Sequence, residues 1–146
     1  MLNSYSSGSP GRAARGYGHV HRSSLVEGAS PHELVRLMLD GAVASIDAAL
    51  ALGPSERDAR HRAVDRALAF VQELQGSLRD PDADELAGRL FALYGFVVTE
   101  LLGFTTDADA GRLRAAHATL SPIAEAWTAI GPEAASAGAG TVRRAA

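Results

Sequence analysis

The sequence predicts an all-α fold, an antiparallel up-down four-helix bundle with a flexible N-terminal arm and a disordered C-terminal tail. Two observations support this prediction. Apolar residues recur at spacings of three and four in four separate stretches between residues 31 and 130. Aromatic residues make up only 5% of the 146 residues, which suits a bundle rich in Ala and Leu better than a β-sandwich. The connections between the stretches are short, so consecutive helices are expected to run antiparallel.

The two ends of the chain differ in composition from its middle. Residues 1–24 carry Gly, Ser, Pro and Arg with little apolar periodicity, and no acidic residue precedes Glu27, so they are expected to form the flexible arm. Residues 132–146 are a tract of small residues with little to bury, and they are expected to be disordered. The bundle is assigned to residues 25–131, a length sufficient for one hydrophobic core.

The first helix has the strongest start signal in the chain. Ser30 stands at an N-cap position, with Pro31 at the first helical position and Glu33 where a capping box places its acidic residue. Gly53 and Pro54 end the helix. Its inward apolar stripe is Val35, Leu39, Val43, Ile46 and Leu50.

The other three helices are predicted by the same rules. The second begins after Ser55, ends near Arg79 and turns Val64, Leu68, Val71, Leu74 and Leu78 inward. The third follows an Asp-x-x-Glu cap at residues 82–85, is apolar over more than half its circumference and is expected to break at Gly103. The fourth reaches Ile130, and Pro122 is expected to kink it.

Small residues form a strip along the third helix. Its members recur at spacings of four and three: Gly88, Ala92, Gly95, Thr99 and Gly103. Glycine inside a helix costs about 1 kcal/mol relative to alanine, so the strip calls for an explanation. Either it packs closely against a neighbouring helix of the same bundle, or it forms a groove for a partner's helix.

Composition excludes several classes of protein. The net charge is −3 and is spread along the chain, which argues against a nucleic-acid partner. There is no cysteine, so disulfides, thiolate nucleophiles and Cys-type zinc sites are excluded. We expect neither a signal peptide nor an apolar stretch long enough to span a bilayer, and therefore a cytoplasmic (cytosolic) protein without membrane insertion.

Catalytic and metal-binding patterns are incomplete, and no enzyme activity, cofactor or metal is predicted. His32-Glu33 begins like a zinc-protease helix, but Arg36 occupies the position of the second histidine. Asp58 and His61 have the spacing by which di-iron bundles present a carboxylate and an imidazole on one helix face. The second such pair and the two further inward carboxylates that these sites need are not found. Two alternatives remain open: a generic helical-bundle adaptor, and a histidine phosphotransfer domain using His61 or His117.

Four segments carry a family resemblance. They read ASPxxLVxxMLDGA at 29–42, RAxxFVxELxxSL at 66–78, ELAxxLxALYxF at 85–96 and AW at 126–127. Each is weak alone, but their order and separation together are difficult to obtain by chance. Between residues 17 and 130 the chain resembles the FliS family of flagellar secretion chaperones.

The resemblance implies a helical bundle that binds the C-terminal segment of newly made flagellin, prevents its premature polymerisation and presents it to the flagellar export apparatus. It also implies that the N-terminal arm can lie over the bundle and compete with flagellin, and it leaves open whether the free protein is a homodimer. The chain departs from the family at Leu39, where Tyr is usual, and at 97–100, where basic residues are usual. The residues that we expect to contact a partner are Tyr17, Val20, Leu39, Asp40, Leu93, Tyr94 and Val98.

Overall fold

Four long helices form the part of the protein that the structure describes. The computed structural model describes the backbone of residues 28–144 and the side chains of residues 28–131. Its helices are α1 (Pro31–Ala51), α2 (Arg57–Gly76), α3 (Glu85–Asp107) and α4 (Ala110–Arg144), with a 3-10 turn at Pro54–Glu56 between α1 and α2. Each helix packs against two others in a closed ring, α1 to α2, α2 to α3, α3 to α4 and α4 to α1. The predicted four-helix bundle is confirmed.

The start of α1 follows the sequence prediction, whereas the start of α3 is shifted. The Ser30 hydroxyl accepts a hydrogen bond from the Glu33 N–H at 3.1 Å, and Pro31 occupies the first helical turn. At α3 the cap is Asp84, whose carboxylate accepts from the Ala87 N–H at 2.9 Å. The predicted capping position, Asp82, therefore lies two residues too early, in the turn before the helix.

The third helix continues past the break predicted at Gly103. It ends at the C-cap residue Ala108, which adopts the left-handed conformation with φ 57 and donates its N–H to the Phe104 carbonyl. Leu101 and Phe104 are both buried in the core. Their burial stabilises the last turns of α3 by more than the modest helix cost of one glycine, so tertiary packing outweighs local propensity here.

The core runs the full length of the bundle and draws on all four helices. Small residues sit beside the large ones at the centre, as Ala42, Ala63 and Ala67 do. The largest fully buried side chains are Leu39, Ile46, Val64, Val71, Leu74, Val97, Leu101, Phe104, Leu113 and Leu120. The predicted stripes of α1 and α2 are confirmed in part. Five of their residues are buried, namely Leu39, Ile46, Val64, Val71 and Leu74, and the other five are half-buried, namely Val35, Val43, Leu50, Leu68 and Leu78.

The break in α4 falls at Gly131. This glycine has φ 73 and ψ 166, outside the helical region, and it is the position within α4 where the described backbone leaves helical dihedrals. The exposed Pro122 thus remains within helical backbone. Beyond Gly131 the backbone is helical again up to Arg144, and the side chains of 132–146 lie outside the described residues, as does the predicted arm 1–24. The flexibility predicted for residues 1–24 and the disorder predicted for residues 132–146 stay predictions.

One helix is apolar enough to raise the question of a membrane span. Among the described residues, α3 reaches the length and composition of a spanning helix, with a mean hydropathy of 1.4 over its most apolar window. The expectation that no apolar stretch is long enough to span a bilayer is therefore wrong by length and composition. Tyr94 and Leu101 of this helix are nonetheless buried against the rest of the bundle. Core helices pass the same test, so it is weak evidence for a span.

Candidate partner-binding surface

The exposed large apolar side chains of the bundle concentrate on α3. Among residues 28–131, five of the six large hydrophobic residues that remain exposed belong to this helix, with relative exposures between 41% and 48%. They are Leu86, Phe91, Leu93, Phe96 and Leu102. Contiguous exposed apolar side chains on a soluble protein mark sites of interaction more often than singly scattered ones do. We call these five residues, with Val98, the α3 surface.

Helical geometry divides the α3 surface into two edges. Phe91, Val98 and Leu102 follow one another at spacings of seven and four and therefore share a side of the helix. Gln75 of α2 donates its side-chain amide N–H to the Phe91 carbonyl at 3.1 Å, so this edge faces α2. Leu93 and Glu100 are seven residues apart, so they share the other side of the helix.

The second edge is placed by contacts with α4. Glu100 accepts from the Arg112 guanidinium of α4 at 3.5 Å, so the side of α3 that carries Leu86, Leu93 and Phe96 faces α4. Ala92 and Thr99 are exposed between the two edges. The outer side of α3 is therefore a shallow surface of small residues bordered by two apolar edges.

The glycines of the small-residue strip lie close to other parts of the chain. A Cβ at Gly88 would lie 2.7 Å from the Pro81 carbonyl oxygen, and one at Gly103 would lie 2.5 Å from the guanidinium of Arg112. At Gly95 a Cβ would lie 3.2 Å from the side-chain nitrogen of Gln75. Close packing within the chain therefore explains Gly88, which meets the backbone of the turn before α3. At Gly95 and Gly103 the near atoms are the ends of the flexible Gln75 and Arg112 side chains, which can move aside.

Charges occur only at the two ends of the α3 surface. Glu85 and Arg89 form a highly exposed ion pair at 2.8 Å near the start of the helix. Residues 90–99 then contain no charged side chain. At the far end Arg112 binds Asp107 at 2.9 Å, and the pKa of Asp107 is lowered by the hydrogen bond from the Asp109 backbone N–H and by Arg112. The middle of the surface can attract a partner by burial of apolar area but not by charge.

Five of the seven residues predicted to contact a partner lie in the described part of the chain, and these five do not form one surface. Tyr17 and Val20 lie outside the described residues. Leu39 is 0% exposed and Tyr94 is 3% exposed, so both belong to the core and a partner docked on the closed bundle does not reach them. Burial also raises the pKa of the Tyr94 phenol to about 12. The helical period turns both residues inward, so partner contacts at Leu39 and Tyr94 stay a prediction that requires the bundle to open.

The other three predicted residues lie on two different helices. Leu93 is exposed and Val98 is half-buried, and both belong to the α3 surface. Asp40 is exposed on α1, where its carboxylate accepts from the Arg36 guanidinium at 3.0 Å. Because α1 does not pack against α3, the structure separates Asp40 from Leu93 and Val98.

Sequence reasoning missed Phe91, Phe96 and Leu102 as candidate contacts. The signal was present, since α3 is apolar over more than half its circumference and a helix that packs against two neighbours needs a narrower apolar face. The excess of apolar residues could therefore have indicated an exposed apolar side. The sequence alone did not say which residues formed that excess.

The histidines considered for phosphotransfer are engaged in local contacts. The His61 ring nitrogen Nδ1 lies 3.0 Å from the Arg57 carbonyl, and its ring is 6.1 Å from that of Phe104. His117 Nε2 lies 2.9 Å from the Asp47 carboxylate. Neither contact supplies the cation that phosphoryl transfer requires. Within residues 28–131 no three His, Asp or Glu side chains are grouped so that they could hold a metal ion.

Comparison with known proteins places the chain in a family. The sequence profile described as "Flagellar protein FliS" matches residues 13–134, which include the whole bundle as far as Gly131. The chain belongs to the FliS family. The flagellar secretion chaperone FliS of Salmonella typhimurium is 33% identical over 122 residues, covering 82% of this chain and 90% of that protein.

Two further FliS relatives agree with this assignment. The flagellar secretion chaperone FliSB of Pseudomonas aeruginosa is 27% identical over 122 residues, which cover 82% of this chain and 95% of that protein. The flagellar secretion chaperone FliS of Escherichia coli is 26% identical over 118 residues, which cover 80% of this chain and 87% of that protein. The predicted family is confirmed. Membership of a family of secretion chaperones also agrees with a binding surface rather than a catalytic centre, since chaperones are not an enzyme class.

Proposed function

We propose that this protein is an export chaperone that binds the C-terminal segment of flagellin in the cytoplasm, prevents its premature polymerisation and delivers it to the flagellar secretion apparatus. The family assignment supports the export role. The single structural observation that supports a bound client is the α3 surface, an exposed apolar region without charge over residues 90–99.

The chemistry of the α3 surface suits an amphipathic client segment. A disordered segment that becomes helical on binding can place its apolar side chains along either edge of α3 and hide them from other copies of itself. The free energy spent in ordering the segment lowers the net affinity, so the client can be released when it reaches the secretion apparatus. An uncharged surface also predicts that binding depends weakly on salt.

The proposed contact residues follow from exposure. Leu93 and Val98 are retained from the sequence prediction, and Phe91 and Phe96 are added to them. The arm residues Tyr17 and Val20, predicted to compete with the client, lie outside the described residues, and their role stays part of the proposal. Nucleic acid, membrane insertion, cofactors and catalysis have no part in it.

Titration calorimetry tests the proposal directly. The purified full chain is titrated with a synthetic C-terminal segment of flagellin from the same organism at several temperatures. We expect a saturable one-to-one complex with a negative heat-capacity change, because apolar area is buried. Size exclusion of the free chain and of the complex reports whether a homodimer is present and whether the client dissociates it.

Surface variants locate the binding site. Leu93→Gln and Phe96→Gln should each weaken binding by about tenfold or more, since each removes an apolar side chain from the centre of the interface. Ala51→Gln, an exposed position at the end of α1, is the matched control and should bind as the native chain does. Failure of a folded native chain to bind the segment would overturn the proposal and favour the helical adaptor.

A further inference from the structure

A second surface lies between α1 and α4. Its floor consists of Val43 from α1 with Ser121 and Ala124 from α4, which are half-buried or buried, whereas Ala44 is exposed beside the carboxylates of α1. Carboxylates stand on both rims, Asp40 and Asp47 on α1 and Glu125 on α4. We call this feature the α1–α4 groove. Since α1 makes no contact with α3, the groove and the α3 surface are separate regions of the bundle.

The rims of the groove carry more negative than positive charge. Asp40 is paired with Arg36, but the same guanidinium also binds Glu33, so this cation is shared between two carboxylates. Asp47 is paired with His117 at 2.9 Å, a histidine that carries charge only when protonated. Among the described side chains, Glu125 has no ion-pair partner. Like charges on both rims of an apolar floor favour a partner with positive charge on both sides of an apolar stripe.

The small floor residues fix the shape of that partner. The small side chains of Ser121 and Ala124 allow a docked helix to approach closely, whereas bulky floor residues would hold it away. Asp40 and Asp47 are seven residues apart, which is two helical turns, so cations spaced by seven on a partner helix can meet both. The groove therefore matches one narrow apolar stripe flanked by two rows of cations.

We propose that the α1–α4 groove docks a cationic amphipathic helix of a second protein, with an Ala- or Leu-type stripe on the floor and Arg or Lys side chains on both rims. This partner differs chemically from the client proposed for α3, whose binding region carries no charge. The two surfaces are on different pairs of helices, so both can be occupied at the same time. The groove thus gives the chaperone a second, salt-dependent binding site.

A designed peptide tests the proposal without knowledge of the natural partner. The probe is a fluorescently labelled helix with an Ala/Leu stripe flanked by Arg residues, and its matched control has Glu in place of every Arg. Anisotropy with the full chain should show saturable binding of the Arg peptide that weakens as salt is raised, and no binding of the Glu peptide. Equal binding of both peptides would overturn the proposal.

Two triple variants separate the groove from general attraction. Asp40→Asn with Asp47→Asn and Glu125→Gln should weaken binding of the Arg peptide by about tenfold or more. The control variant combines Asp58→Asn, Asp65→Asn and Asp82→Asn, which removes the same charge from α2 and the α2–α3 turn. We expect this control to bind as the native chain does. An equal loss in both variants would show nonspecific attraction and overturn the proposal.

Further variants distinguish other possible occupants of the α1–α4 groove. Ser121→Trp keeps every charge but fills the groove from its half-buried floor, and it should abolish binding of the Arg peptide. Binding that survives in Ser121→Trp, or that is lost in Phe96→Gln, would place the peptide elsewhere and overturn the proposal. Binding seen only after the chain is shortened to residue 131 would assign the groove to the chain's own tail, which carries Arg143 and Arg144. None of these results depends on flagellin binding, so this proposal and the proposed function fail separately.

Discussion

Trp127 donates its indole N–H to the backbone carbonyl of His32 at 3.0 Å, and the two rings stack with their centroids 5.2 Å apart and their planes 14° from parallel. The contact joins α4, about one turn before its break at Gly131, to the first turn of α1, 95 residues apart in the sequence. Trp127 also belongs to one of the segments that carry the family resemblance. This segment therefore has a structural role, which is to close the ring of helices.

Loss of the indole donor should destabilise the bundle modestly. Trp127→Phe keeps an aromatic ring against His32 but removes the hydrogen bond, so the free energy of unfolding should fall by about 1 kcal/mol. Trp127→Ala also removes the packed ring and should cost about 3 kcal/mol. Urea denaturation followed by circular dichroism measures both. Equal losses in the two variants would contradict a separate contribution from the stacked ring.

Fluorescence offers an independent measurement of the same contact. Trp127 is the single tryptophan of the chain, so the intrinsic emission reports on its surroundings alone. His32→Ala should shift the emission to longer wavelength, because water then reaches the face of the indole that the imidazole covers. His61→Ala, which alters a histidine in contact with Phe104 at the other end of the bundle, is the control and should leave the emission unchanged.

Gly88 should not tolerate a side chain. Gly88→Ala places a Cβ at 2.7 Å from the Pro81 carbonyl oxygen, a backbone atom of the turn before α3, so the turn must move. We expect a loss of about 1–3 kcal/mol despite the better helix propensity of alanine. Gly76→Ala, where no atom lies within 4 Å of the added Cβ, is the control and should be neutral or stabilising. A stabilised Gly88→Ala variant would contradict the close approach.

The cap of α3 should depend on one carboxylate. Asp84→Ala removes the acceptor for the Ala87 N–H and should lower the free energy of unfolding by about 1 kcal/mol. Asp82→Ala changes an exposed carboxylate of the preceding turn and should cost much less. Thermal denaturation of both variants under the same conditions gives the comparison. A larger cost at Asp82 would restore the cap position that the sequence predicted.

Burial of Tyr94 should make stability fall at alkaline pH. The pKa of its phenol is about 12 in the folded chain, because burial disfavours the phenolate, against about 10 for an exposed tyrosine. Above pH ~10 the unfolded chain loses this proton first, so the stability present below pH ~10 is lost progressively up to pH ~12. Two pKa units correspond to about 3 kcal/mol.

Comparison of the native chain with Tyr94→Phe isolates this effect. Phenylalanine fills nearly the same volume but does not ionise, so the stability of this variant should fall less between pH 9 and pH 11.5. These two values lie below and above pH ~10, where ionisation of the unfolded chain begins. Urea denaturation at the two pH values measures the difference. Identical losses in both chains would show that Tyr94 ionises in the folded state as an exposed phenol does.

Local signals predicted most of the bundle correctly because they are decided by residues close in sequence. Ser30 caps α1, and Leu39, Ile46 and Val64 reach the core at positions that their spacing indicated. The partner contacts stay a prediction. Leu93 and Val98 reached the α3 surface, whereas Leu39 and Tyr94 were proposed as contacts from the family resemblance and lie in the core.

The sequence by itself determined four amphipathic helices, their order, their short connections and the family to which they belong. Only the tertiary structure decided which side of α3 faces the core. Apolar residues cover more than half of the circumference of α3, so the sequence left open which of them are buried. Packing against α2 and α4 buries Tyr94, Val97 and Leu101 and leaves Phe91, Phe96 and Leu102 exposed, because the space beside the other helices does not admit the whole apolar circumference.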